Sequence, residues 1–123
     1  MSPKIRAAIS FLNTNLHRVV TTEELADSVK LSRSRYSHLF KLETGMPPTH
    51  YLRRIRMNRA CELLETSFMS VKEIAAEVGY NDGAHFMRDF KRTYGATPSQ
   101  HRDQFVNTPE LKRGHPTKNS KID

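Results

Sequence analysis

Apolar residues recur along this chain at helical spacing, in short stretches divided by polar or proline-glycine punctuation. Ile5, Ala8, Ile9, Leu12 and Leu16 mark a first helix over about 4–16, with Pro3 near its start. Thr21 and Glu24 have the spacing of a capping box and open a short helix that turns Leu25, Ala26 and Val29 inward. Ser32 caps the next helix, which buries Tyr36, Leu39 and Phe40 and stops at Gly45. Pro47 and Pro48 then start a long helix over about 48–66, with Leu52, Ile55, Ala60, Leu63 and Leu64 inward. Ser70 and Glu73 repeat the capping box before Ile74, Ala75 and Val78. Asp82 caps a helix whose Phe86 and Phe90 face the core and which ends near Gly95. Thr97-Pro98 opens a last turn or short helix through about Gln104. No segment alternates as a strand would. The fold class expected is all-α, with about seven helices.

The pattern occurs twice. Glu24, Leu25, Ala26 and Val29 recur as Glu73, Ile74, Ala75 and Val78, each 49 residues on, while Tyr36, Phe40, Lys41 and Gly45 recur 50 residues on as Phe86, Phe90, Lys91 and Gly95. The one extra residue falls around Gly79-Tyr80-Asn81, where Gly79 is expected to take a positive φ. Each copy is a short helix, a tight turn and a second helix with buried aromatics, and a small alanine (Ala26, Ala75) lets the second helix cross closely. That is a helix-turn-helix unit. An α-solenoid stacks at least three copies, and here there are two with a long basic helix between them. The expected organisation is a first helix-turn-helix subdomain over 1–46, a linker helix over 47–67 and a second subdomain over 68–105. A polar, disordered tail is expected over 106–123.

Charge narrows the reading. The 123 residues carry a formal net charge of +7, and between Lys30 and Arg59 eight basic residues (Lys30, Arg33, Arg35, Lys41, Arg53, Arg54, Arg56, Arg59) face one acid, Glu43. Solvated surfaces usually mix signs, so a one-sided block favours a polyanion. Arginines of the linker helix have a second possible use, pairing with Glu43, Glu62 or Glu65. One cysteine, Cys61, excludes a disulfide scaffold and suits a reducing cytosol. No apolar run approaches the roughly 18–20 residues of a membrane span. The chain is expected to be cytoplasmic, without a membrane partner.

Enzymatic chemistry finds no foothold. The six histidines are scattered over separate elements, with no His-x-x-x-His or Cys-x-x-Cys pair, no phosphate-cradling glycine loop and no nucleophile elbow. No catalytic residue, cofactor or metal is expected, and Cys61 reads as a packed thiol.

The second unit, IAAEVGYNDGAHFMRDFKRTYGATPSQHR, resembles the C-terminal signature of the AraC/XylS family of bacterial transcription regulators. The residues that carry the resemblance are Ile74, Ala75, Val78, Gly79, Tyr80, Asp82, Phe86, Arg88, Phe90, Lys91, Gly95, Thr97, Pro98 and Arg102. ELADSVKLSRSRYSHLFKLETG is similar to the family's first helix-turn-helix, and RRIRMNRACELL to its linker helix, so the likeness covers about residues 4–104. It implies double-stranded promoter DNA as partner, read by two recognition helices in adjacent major-groove segments, and contact with RNA polymerase. This chain alone is expected to be a monomer. Larger members carry a separate ligand-sensing or dimerisation domain ahead of this one.

On the first recognition helix, the resemblance implies base contacts for Ser34, Ser37 and His38, with Arg33, Arg35 and Lys41 gripping phosphates. His38 has packing as its competing role. On the second, Gly83, Ala84, His85, Met87 and Arg88 take the exposed positions, and Lys91 and Arg92 sit near the backbone. Arg88 contacts either a base or a phosphate. Gly83 and Ala84 replace the polar residues common in the family, which leaves Ala84 and Met87 to meet a thymine methyl. Asp82 is expected to cap rather than to touch DNA. A different class of function remains beside this one: a protein-interaction module of the same fold that binds DNA only weakly.

Overall fold

A polar side chain one residue ahead of an apolar repeat starts most helices of this chain. In the computed structural model, which describes residues 1–106, seven helices occur: α1 (Pro3–Thr14), α2 (Thr22–Ser28), α3 (Arg33–Thr44), α4 (Pro48–Thr66), α5 (Val71–Glu77), α6 (Gly83–Tyr94) and α7 (Pro98–Val106). No strand occurs among the described residues. Ser2, Thr21, Ser32, Ser70 and Asp82 each accept a first-turn backbone N–H, a contact worth about 1 kcal/mol. The tail expected beyond Val106 lies outside the described residues. No helix among these residues is long and apolar enough to cross a membrane.

Three details depart from the sequence pattern. α1 ends at Thr14, not 16, because Asn15 turns back and donates its side-chain amide to the Phe11 carbonyl at 2.8 Å. α7 runs to Val106, past Gln104, and begins with a reciprocal cap: Gln100 N donates to Thr97 Oγ1 (3.1 Å) and Thr97 N to Gln100 Oε1 (2.9 Å). At α2 the Thr21 hydroxyl accepts from Glu24 N, but the Glu24 carboxylate takes Arg18 as its main partner, at 2.7 Å. At α5 both arms of the box close: Glu73 N to Ser70 Oγ (3.0 Å) and Ser70 N to Glu73 Oε1 (2.8 Å).

The chain divides into two compact units, Met1–Arg56 and a second beginning at Met57, with the boundary inside α4. The first unit buries Ile5, Ala8, Leu12, Val20, Leu25, Ala26, Val29, Tyr36 and Phe40, and Tyr51, Leu52 and Ile55 of α4 pack against that cluster. Phe40 meets the Tyr51 ring edge-on at 5.2 Å. The second unit buries Met57, Ala60, Leu63, Leu64, Ile74, Ala75, Val78, Phe86 and Phe90. The two halves of α4 thus belong to different cores, and its buried positions follow no single stripe. That is why Met57, fully buried, escapes a reading by periodicity.

Candidate nucleic-acid interface

In both units the first helix of the pair ends in the same left-handed turn. Leu31 N donates to the Ala26 carbonyl at 2.9 Å, and 49 residues on Tyr80 N donates to the Ala75 carbonyl at 2.8 Å. The residue that reverses the chain is Lys30 (φ 59°) in the first unit and Gly79 (φ 92°) in the second. After the turn, Ser32 caps α3 at once, whereas Asn81 intervenes before Asp82 caps α6. Asn81 is therefore the extra residue of the second copy. Ala26 and Ala75 are both buried, each in the apolar core of its own unit.

This turn fixes which side of each second helix faces out. On α3, Tyr36 and Phe40 are fully buried, and burial pushes the Tyr36 phenol up to about 12. Ser34, His38 and Lys41 are exposed and Ser37 is half-buried; at spacing i, i+3, i+4, i+7 they form one outward stripe. Arg33 and Arg35 flank it, exposed. On α6 the residues 50 positions later, Ala84, Met87, Arg88 and Lys91, form the matching stripe, all exposed. Gly83, His85 and Arg92 are exposed beside them. The stripes differ in chemistry: hydroxyls and imidazole on α3, methyl, thioether and guanidinium on α6. Both end in lysine.

The polar side chains of α6 are not equivalent. His85 Nε2 and Arg92 Nη1 lie 3.4 and 3.7 Å from the carboxylate of Asp89, while the Arg88 guanidinium has no ion-pair partner among the described residues. A cap at 2.9 Å to Ala84 N occupies the Asp82 carboxylate. A Cβ added at Gly83 meets no atom within 4 Å, so packing does not require a glycine there.

The basic block of the sequence splits into two sets. Arg59 pairs with Glu62 at 2.9 Å, and half-buried Arg56 donates to the Arg18 carbonyl at 3.2 Å. Glu65 faces His101, and Glu43 accepts from Ser2 N at 2.7 Å. Arg33, Arg35, Lys41, Arg53 and Arg54 keep exposed positions. Asp89, buried at 6% exposure on the inner side of α6, has no sequence signal of its own, because an acid two residues from an exposed Met reads as surface. Arg102 is structural: its guanidinium donates to the carbonyls of Leu64 (3.1 Å) and Ser67 (3.3 Å) at the end of α4.

Comparison with known proteins agrees with this geometry. A helix-turn-helix domain model matches residues 25–104. The lactose operon transcription activator of Staphylococcus xylosus is 36% identical over 101 residues, covering 82% of this chain and 36% of the activator. The chain spans about a third of the length of the curated relatives it matches. Among solved structures, the C-terminal domain of AraT, a response regulator of Geobacillus stearothermophilus, superposes with a TM-score of 0.83 at 30% identity, covering 93% of this chain and 95% of that one. The DNA-binding domain of the global transcriptional factor AdpA, solved in complex with a target DNA, gives 0.79 at 29% identity over 83% of this chain and 92% of that one.

Proposed function

This chain belongs to the AraC-type helix-turn-helix family, and we propose that it binds promoter DNA sequence-specifically, as the DNA-binding part of a transcription regulator. The observation that carries the reading is the pair of matched outward stripes, 34/37/38/41 on α3 and 84/87/88/91 on α6, each held outward by a buried aromatic pair and each ending in lysine. Successive major-groove segments of a duplex lie about 34 Å apart. Two recognition helices on one chain provide a reader for each without a second copy, so the chain acts as a monomer. In this reading 1–46 and 68–105 are the reading subdomains and 47–67 the helix that joins them.

Ser34, Ser37 and His38 address base edges, and Arg33, Arg35 and Lys41 address phosphates. In the second unit Arg88 is the main polar reader, since its fork matches guanine O6 and N7. Ala84 and Met87 supply apolar contact to thymine methyls, while Gly83 leaves room for close approach. Lys91 and Arg92 lie toward the backbone; His85 and Arg92 are held in part by Asp89. RNA polymerase is the protein partner implied once the chain is on DNA.

The test is selection of binding sites from a random duplex library with the purified chain, followed by salt titration of the winner. Two enriched submotifs about one helical turn apart, with affinity falling steeply with salt, are expected. One submotif alone would confine base reading to one unit. No enrichment, with only weak sequence-blind binding, would overturn the reading in favour of a protein-interaction module.

A further inference from the structure

Cys61 and Glu65 lie one turn apart on α4, and α7 brings His101 against them, within the second unit. The thiol sulfur, a carboxylate oxygen and an imidazole nitrogen all lie within 4.8 Å of one another. His101 Nε2 and Glu65 Oε2 are 2.8 Å apart. All three residues are half-buried. The ring of His101 is held edge-on against Phe90, centroids 5.8 Å apart, and lies 6.3 Å from that of Tyr94. Its nitrogen is thereby aimed by packing.

We propose that Cys61, Glu65 and His101 form a zinc-binding site, a thiolate–imidazole–carboxylate set completed by water, that fastens α7 to α4. Zinc takes sulfur at about 2.3 Å and nitrogen or oxygen at about 2.0–2.2 Å in a tetrahedron, which sets ligand atoms roughly 3.3–3.6 Å apart. The 4.8 Å cluster closes to that by small side-chain rotations, and the His101–Glu65 contact opens slightly to admit the ion. Sulfur with imidazole selects zinc over magnesium or calcium, which prefer all-oxygen shells.

Zinc binds the thiolate, so the ion must displace the Cys61 proton. Cys61 then gives its proton to solvent, His101 binds through the Nε2 lone pair with its proton on Nδ1, and Glu65 binds as carboxylate. The Arg102 guanidinium already ties α7 to the carbonyls of Leu64 and Ser67, so the ion adds a second tie to the same junction. The sequence conceals this site. His101 lies forty residues beyond Cys61 in the chain, and the third ligand is a glutamate rather than a second cysteine or histidine.

The test uses the full chain, freed of metal by chelator and titrated with zinc or cobalt(II). One equivalent of cobalt is expected to give a near-ultraviolet thiolate charge-transfer band, which Cys61→Ser abolishes. Zinc affinity by chelator competition is expected to fall at least about tenfold in Cys61→Ser and in His101→Gln, and zinc is expected to raise the melting temperature of the wild type alone. Cys61→Ser keeps all six histidines, so equal zinc affinity in that variant would overturn the site in favour of histidine binding elsewhere. A readout without mutation uses the single cysteine: zinc should slow alkylation of Cys61 by iodoacetamide. An unchanged alkylation rate at saturating zinc, or no charge-transfer band with cobalt, also overturns it.

Discussion

The Tyr80 hydroxyl donates a 2.7 Å hydrogen bond to Oδ2 of Asp89, tying the turn of the second helix-turn-helix to the inner side of α6. In the first unit the same repeat positions are Leu31 and Leu39, both packed against the apolar cluster. One copy thus fastens turn to recognition helix by a hydrogen-bonded carboxylate; the other has leucines at both positions, packed on its core. Hydrogen bonds to charged groups contribute about 1.5–3 kcal/mol, and a buried carboxylate deprived of one loses more than the bond itself. Tyr80→Phe is expected to cost about that much in urea unfolding. A double-mutant cycle with Asp89→Asn should return a coupling of at least about 1 kcal/mol. A coupling near zero would mean that His85 and Arg92 hold Asp89 on their own.

Tyr36 should respond in the opposite sense. Its hydroxyl is buried with no hydrogen-bond partner among the described residues, so folding strips it of water without replacement. Tyr36→Phe removes that penalty and keeps the ring, whose centroid lies 5.6 Å from that of Phe40. The expected outcome is a gain of about 1 kcal/mol, read as a higher urea midpoint with an unchanged slope. A loss of stability would show that water or another group reaches the hydroxyl.

The contrast between these two tyrosines marks how far the sequence was legible. Helix starts were readable at Ser32, Ser70 and Asp82, because a cap followed by an apolar repeat is a local signal. The buried aromatics of α3 and α6 were readable too, since repetition at 50 residues gave two independent views of one pattern. Asp89 was not, because its burial depends on Tyr80 reaching it across the turn. Met57 was hidden by the change of core along α4. At the candidate interface, periodicity identified the outward positions. The pairing of Arg59 with Glu62 was one of two uses the sequence left open, and periodicity did not show that His85 and Arg92 lie beside the Asp89 carboxylate.

If α6 reads bases, Arg88 and Lys91 should fail differently. Arg88→Ala is expected to cost about 1–3 kcal/mol on a selected site and to relax preference at one base pair. Lys91→Ala, like Lys41→Ala, should weaken all duplexes alike and lower the salt slope by about one. Binding isotherms on the selected site and on a scrambled duplex, at two or more salt concentrations, separate the cases. Equal loss on both duplexes for Arg88→Ala would assign it to phosphate.

Acid should loosen both first helices of the pairs. Glu24 is held below its ordinary value of 4.5 chiefly by the hydrogen bond from Arg18, and Glu73 by the backbone N–H and hydroxyl of Ser70. A depressed carboxylate stabilises the folded chain fully above the unfolded value and loses that contribution as pH falls through the folded one. Stability should therefore decline below pH about 5. Both groups are solvated, so each contribution is small. In Glu24→Gln and Glu73→Gln the decline should be shallower, measured as urea midpoint against pH. An identical acid limb in wild type and both variants would assign the decline to other carboxylates.

The repeated turn gives an internal control for backbone strain. Lys30 and Gly79 reverse the chain at equivalent positions, with φ of 59° and 92°. The left-handed well open to side-chain-bearing residues spans φ of about 50–70°, so Lys30 lies inside it and Gly79 beyond it. Occupying that well costs an L-residue about 1–2 kcal/mol, and glycine avoids this at an entropic cost of about 0.5–1 kcal/mol in the unfolded chain. Lys30→Gly should accordingly gain less than about 1 kcal/mol, because the two effects oppose. Gly79→Ala should lose about 1–2 kcal/mol or more, since a Cβ must either strain the turn or pull φ back and stretch the 2.8 Å bond from Tyr80 N to the Ala75 carbonyl. Thermal melts of the two variants decide the matter. If Gly79→Ala melts with the wild type, the second turn relaxes to the geometry of the first without loss, and the glycine there answers to something other than backbone conformation.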